Sequence, residues 1–171
     1  WALALTGFVN SWMILGFSAF LSHLLVYDLK VDSGLVATVM SLTFLVGAAG
    51  SILGGVISDR VFKGYRYQTL MIGGILAAVG LLLLLVTRNN VLIIVFLILA
   101  YLGPNIVMGP VWACPASLVK PQIAGSVTAF ANVIANIGGL IVSPILGLTI
   151  DATGSAMMAL FFCVAMSILG T

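Results

Sequence analysis

Residues 91–119, VLIIVFLILAYLGPNIVMGPVWACPASLV, run without a single charged side chain. A helix needs about 20 mostly apolar residues to cross the hydrocarbon core of a bilayer, and this stretch exceeds that. Working outward, the same pattern recurs on both sides. Apolar runs at about 3–27, 34–58, 68–87, 123–150 and 155–171 bring the expected number of membrane helices to six. The runs are too long for strands, and they lack the apolar-out, polar-in alternation of a membrane barrel. The fold class read from the sequence is therefore all-α, a polytopic membrane protein.

Composition agrees. Of the 171 residues, 63% are hydrophobic and 6% are charged, whereas a soluble domain carries about a quarter charged residues. A water-exposed surface leaves no place to hide so much apolar side chain; lipid contact removes the conflict. The charges sit between the runs: Asp28, Lys30 and Asp32; Asp59, Arg60, Lys63 and Arg66; then Arg88, Lys120 and Asp151 singly. Glu is absent. No basic patch extends beyond one loop, so nucleic acid is not an expected partner. Cys114 and Cys163 lie in apolar runs with neither metal-ligand spacing nor a disulfide framework, and read as packing thiols. No metal or cofactor is expected. Trp1 and Thr171 both stand within apolar runs, so the chain is expected to be a fragment.

Connections are short. Asp32-Ser33 is expected to cap the second helix, and Arg88-Asn89-Asn90 and Asp151-Ala-Thr-Gly154-Ser155 read as tight turns. Arg60, Lys63, Arg66 and Lys120 fall on one side of the membrane, against Lys30 and Arg88 on the other. The positive-inside rule makes the first side cytoplasmic.

Polar side chains inside the runs mark the candidate site. In the fifth helix Gly125, Thr128, Asn132, Asn136, Gly139 and Ser143 fall in one stripe about 80° wide at 100° per residue. An amide facing hydrocarbon is costly without a partner, so the stripe is expected to meet protein or water. It reads either as helix–helix glue or as the lining of a solute cavity. In the fourth helix Tyr101, Asn105, Met108 and Trp112 share a face, interrupted by Pro104 and Pro110 and followed by Pro115. That face reads as a moving cavity wall or as an interfacial aromatic anchor. Gly47, Gly50, Ser51, Gly54, Gly55 and Ser58 in the second helix form a small-residue ridge suited to tight packing. Asn10 in the first helix is a further cavity candidate. His23 reads as an interfacial residue or a protonation switch. No carboxylate lies within a run, so the usual parts for ion or proton coupling are expected elsewhere. The scattered His and Asp residues do not assemble a catalytic constellation, and an enzyme is not expected.

The stretch Gly55-Val-Ile-Ser-Asp59-Arg60-Val-Phe-Lys63-Gly64-Tyr-Arg66 resembles the cytoplasmic loop motif of the major facilitator superfamily. Phe62 stands where that motif commonly has Gly, and the later basic residues are shifted. Gly109-Pro-Val-Trp112-Ala-Cys-Pro115, Ala131-Asn132-Val-Ile-Ala-Asn136-Ile-Gly138-Gly139, Pro144 and Asp151-Ala-Thr-Gly154-Ser155 are similar to the tenth and eleventh helices of the anion:cation symporters, with organophosphate:phosphate antiporters next. The resemblance implies that residues 1–171 form a C-terminal six-helix half, partnered by an N-terminal half and by lipid. It implies alternating access around a central solute site. Trp112 and Asn132 would touch a small organic anion, such as a sugar acid, in a proton- or sodium-coupled symport. Asn136, Asn10 and Tyr101 complete the expected wall. Gly55, Asp59 and Arg60 would form a conformational latch, with Asp59 facing the positive end of a helix from the other half. A transporter-like sensor that binds without translocating stays open as the alternative.

Overall fold

In a computed structural model, the residues described are 1–28, 30–62, 66–87 and 89–153. They form five helices: α1 (Ala2–His23), α2 (Ser33–Val56), α3 (Arg66–Val86), α4 (Asn90–Leu118) and α5 (Pro121–Thr153). Single π-helical turns, Leu24–Asp28 and Ile57–Val61, prolong α1 and α2. There is no strand among the described residues. All five helices are long and apolar enough to cross a membrane. The sixth run, 155–171, lies outside the described residues.

The cap on α2 is the one read from sequence, and Asn89, read there as part of a turn, caps α4. Asp32 Oδ2 accepts from the Gly34 amide at 3.1 Å, and Asn89 Oδ1 accepts from the Val91 amide at 3.0 Å. Each satisfies a donor that a helix start leaves open. Asp151 departs from expectation. It lies within α5, which runs on to Thr153, where the Thr153 hydroxyl donates to the Thr149 carbonyl. Gly154-Ser155, the rest of that expected turn, lies outside the described residues.

Glycines decide which helices touch. A Cβ on Gly47 would press on the Tyr101 ring, and one on Gly50 would lie 2.7 Å from Leu102 Cδ1. A Cβ on Gly109 would lie 2.8 Å from the Ser51 carbonyl oxygen. These pairings advance together, so α2 and α4 run parallel. Pro110 leaves the Ile106 carbonyl without its helical donor, and that carbonyl sits directly against Gly54. The small-residue ridge of α2 is thus a packing ridge, as its composition predicts.

On the other side of α4, Gly103 meets Gly73 and Ala77, and Gly80 meets Ala100, an antiparallel contact with α3. On α1, Gly7 meets Ala135, and Gly16 meets Val142 and Leu146, so α1 and α5 run parallel. Close backbone approach of this kind is how helices associate in lipid, where burying apolar area against another helix gains little over hydrocarbon. Phe17, Leu21, Leu25, Leu81, Leu97, Val111 and Val142 fill the spaces between and are fully buried. Outward, large apolar side chains such as Leu45, Ile52, Leu140 and Leu148 are more than two-thirds exposed.

Candidate functional site

The polar residues singled out in the sequence do not gather at one place in the bundle.

Asn132 and Asn136 lie on the exposed side of α5, about 100–140° around the helix from Ala131, whose row (Ala131, Ala135, Gly138, Val142) is buried. The Asn136 amide donates to the Asn132 carbonyl at 2.8 Å and also to Asn132 Oδ1. With Asn136 Nδ2 so engaged, the Asn132 amide group keeps its donors and Asn136 Oδ1 its lone pairs for an outside partner. Gly125 and Ser143 of the same stripe are also exposed. Gly139 is not; a Cβ there would strike the Leu15 side chain of α1.

Trp112 is half-buried and reaches the seam between α1 and α5. The Cβ position of Gly7 lies 3.8 Å from the tip of the Trp112 indole, 3.2 Å from Ala135 Cβ and 3.9 Å from the Ala131 carbonyl oxygen. Trp112 therefore touches the seam one residue from Asn132 along α5. A Cβ at position 7 would meet the indole at ordinary contact distance; the tight neighbour is Ala135, so glycine here serves the close approach of α1 and α5.

Tyr101 sits in the core, at 5% exposure, with its ring centroid 5.3 Å from Phe17 and 5.8 Å edge-on from Phe44. Asn105 is likewise buried and donates to the Tyr101 carbonyl at 2.8 Å. One face of α4 thus splits: Tyr101 and Asn105 pack inward, while Met108 is exposed and Trp112 half-exposed.

Asn10, also buried, opens onto a cavity between α1, α3 and α4 whose walls include Thr6, Met13, Gly73, Pro104 and Val107. The space measures about 360 Å³ with its open mouth. Val107 and Trp112 are about 140° apart around α4, so this cavity and the indole lie on different sides of the α1–α4 contact.

At the end of α2, Gly55 has open space around its Cβ position, and Asp59 and Arg60 are exposed. Asp59 Oδ1 lies 4.0 Å from Arg66 Nη2. Arg66 Nη1 also donates to the Pro110 carbonyl at 3.3 Å. The motif's later base thus tethers the α2–α3 connection to α4, a contact not foreseen from spacing. His23 is half-buried and tilted over Tyr27 at 4.6 Å, with Nδ1 buried and unpartnered. No group of three or more His, Cys, Asp or Glu able to hold a metal occurs among the described residues.

Long apolar helices locked by glycine contacts define a multi-pass integral membrane protein. The chain belongs to the Major Facilitator Superfamily, whose family model matches residues 1–143. It is 31% identical over 138 residues to the probable galactarate/D-glucarate transporter GudP of Bacillus subtilis (strain 168), covering 77% of this chain and 29% of that protein. It is 29% identical over 133 residues to the probable galactarate/D-glucarate transporter GarP of Escherichia coli (strain K12), covering 74% and 30%. It is 24% identical over 161 residues to the probable sulfoacetate transporter SauU of Cupriavidus necator, covering 91% and 37%. These relatives are transporters rather than enzymes. The chain spans only about 29% to 37% of their length. Among solved structures, it superposes on the crystal structure of a mutant of the peptide transporter POT in complex with sulfate, with a TM-score of 0.86 at 21% identity, over 99% of this chain and 35% of that one. That likeness establishes the fold. Family and fold are as the loop motif and the helix count predict.

Proposed function

We propose that this chain is the C-terminal six-helix half of an alternating-access transporter for small organic anions, with sugar acids as the substrate class. The observation that carries the reading is the Asn132–Asn136 pair, its free donors and acceptor turned outward on α5, with the indole of Trp112 reaching the neighbouring α1–α5 seam at Gly7. A sugar acid presents hydroxyls and carboxylates, which are met by amide donors, an amide oxygen and an aromatic face. Similarity to galactarate/D-glucarate transporters supports the same class. The outward face of α5 then meets the cavity between the halves, where an amide is hydrated or ligated and escapes the cost of facing lipid.

The charged machinery belongs to the other half. The described spans hold no carboxylate deep in the membrane, since Asp59 and Asp151 stand near helix ends, so proton or sodium coupling and the cationic recognition of the anion fall to the N-terminal helices. Asp59 and Arg60 form the cytoplasmic latch that engages that half. Tyr101 supports the wall from within the core rather than touching solute.

The test is uptake of labelled D-glucarate by the full-length protein in proteoliposomes. Combining Trp112→Ala with Asn132→Leu removes a ring face and an amide's hydrogen bonds. At about 1 kcal/mol for each, uptake efficiency falls some 10- to 100-fold. Unchanged uptake in the double variant refutes the wall assignment. Absence of counterflow between two labelled pools refutes transport itself and leaves a binding protein.

A further inference from the structure

Ser143 belongs to the polar stripe of α5, yet a solute wall of Asn132, Asn136 and Trp112 leaves it without a task. At 100° per residue it lies about 20° around the helix from both Asn132 and Asn136, and about 10 Å further along the axis than Asn136. It is exposed, as are Pro144 and Gly147. Nothing lies within 4 Å of the Cβ position of Gly147, one turn on, so the approach to the hydroxyl is open on that side among the described residues.

The hydroxyl is also chemically free. A serine or threonine on a helix can give its proton to the carbonyl one turn back, as Thr128 does to Ala124 at 2.8 Å and Thr149 to Ile145 at 2.7 Å. Ser143 makes no hydrogen bond among the described residues, so its O–H remains a donor. The next residue supplies an acceptor. Pro144 lies inside α5 and has no N–H, so the Leu140 carbonyl lacks the donor one turn on. Leu140 is 76% exposed and stands about 60° around α5 from Ser143. Helical carbonyls point along the axis towards the C-terminus, which aims this one at the level of Ser143 and Pro144. A free donor and a free acceptor thus stand together on the open side of α5. A hydroxyl is their complement, since it accepts from Ser143 and donates to Leu140.

We propose that Ser143 and the Leu140 carbonyl form a second solute contact on α5, reading the terminal hydroxyl of a polyhydroxy acid whose nearer groups meet Asn132 and Asn136, a role that rests on the sugar-acid reading above. With a hydrogen bond of about 2.8 Å at each end, the axial separation of about 10 Å leaves roughly 5 Å for the solute to span. A six-carbon chain covers that distance, whereas a hydroxyl next to its own carboxylate does not.

The experiment is competition in proteoliposomes holding the full-length protein. Unlabelled D-gluconate, or 6-deoxy-D-gluconate, which lacks only the terminal hydroxyl, is added against uptake of labelled D-glucarate. In the wild type the deoxy acid should compete about fivefold less well, the loss expected for one hydrogen bond. Two variants remove the contact by different routes. Ser143→Ala takes away the donor; Pro144→Ala returns an N–H to the Leu140 carbonyl and occupies the acceptor. In either variant D-gluconate should weaken to the level of the deoxy acid, and the deoxy acid should hold its wild-type value. A wild type that treats the two acids alike overturns the proposal. So does a fivefold preference that survives in Ser143→Ala or in Pro144→Ala, including the case where both acids weaken together, which assigns the effect to helix packing. Failure of the sugar-acid reading looks different: wild-type protein takes up no labelled D-glucarate, a result that removes the solute and this contact with it.

Discussion

Substituting Gly54 tests the helix packing most sharply. A Cβ at this position would lie 2.7 Å from the carbonyl carbon of Ile106 and 2.9 Å from its Cα, with the carbonyl oxygen nearer still. Every one of these atoms is backbone, so no rotamer change relieves the clash. Ordinary contact requires about 3.5 Å or more, so α2 and α4 must part by roughly 1 Å along the whole seam. The separation would loosen the contacts at Gly50 and Gly109 as well. Overpacking that side chains can absorb costs about 1–3 kcal/mol; a backbone clash belongs at or above the top of that range. Gly55 is the internal control. It is the next residue, near the end of the same helix, and nothing lies within 4 Å of its Cβ position. There, Gly→Ala gains up to about 1 kcal/mol from helix propensity. The measurement is thermal unfolding of the full-length protein in one detergent, followed by tryptophan fluorescence. Gly54→Ala should melt several degrees below the wild type, and Gly55→Ala at or slightly above it. If Gly54→Ala is as stable as Gly55→Ala, the α2–α4 register described above is wrong.

Three further outcomes follow from local geometry. Arg66→Ala removes the guanidinium that donates to the Pro110 carbonyl across to α4 and should lower stability by about 1–2 kcal/mol in chemical denaturation. Asp59→Asn should change stability by less than about 0.5 kcal/mol, because its partner lies 4.0 Å away and its carboxylate is 67% exposed; its effect should appear as slower uptake, consistent with a latch and not a staple. Asn89→Ala removes the cap that holds the Val91 amide and should cost about 1 kcal/mol, visible as faster hydrogen exchange in the first turn of α4 and not elsewhere.

The membrane class, the five described spans and the Asp32 cap were legible in the sequence. Uncharged runs such as 91–119 have no stable home in water, and backbone hydrogen bonds must close within each span, so composition and length leave few solutions. The glycine ridge of α2 was legible as packing for the same reason: small residues at helical spacing serve close approach and little else. Tertiary structure decided which polar groups stand together. Tyr101 and Trp112 occupy one stripe of α4, yet the stripe crosses from the α1–α2 core to the α1–α5 seam, because neighbouring helices contact a helix over only part of its length. Asn10 and Asn132 carry the same side chain at membrane depth, yet one is enclosed and the other open. A helical wheel gives the direction of a side chain; only the positions of the neighbouring helices determine whether that direction ends in protein, water or lipid.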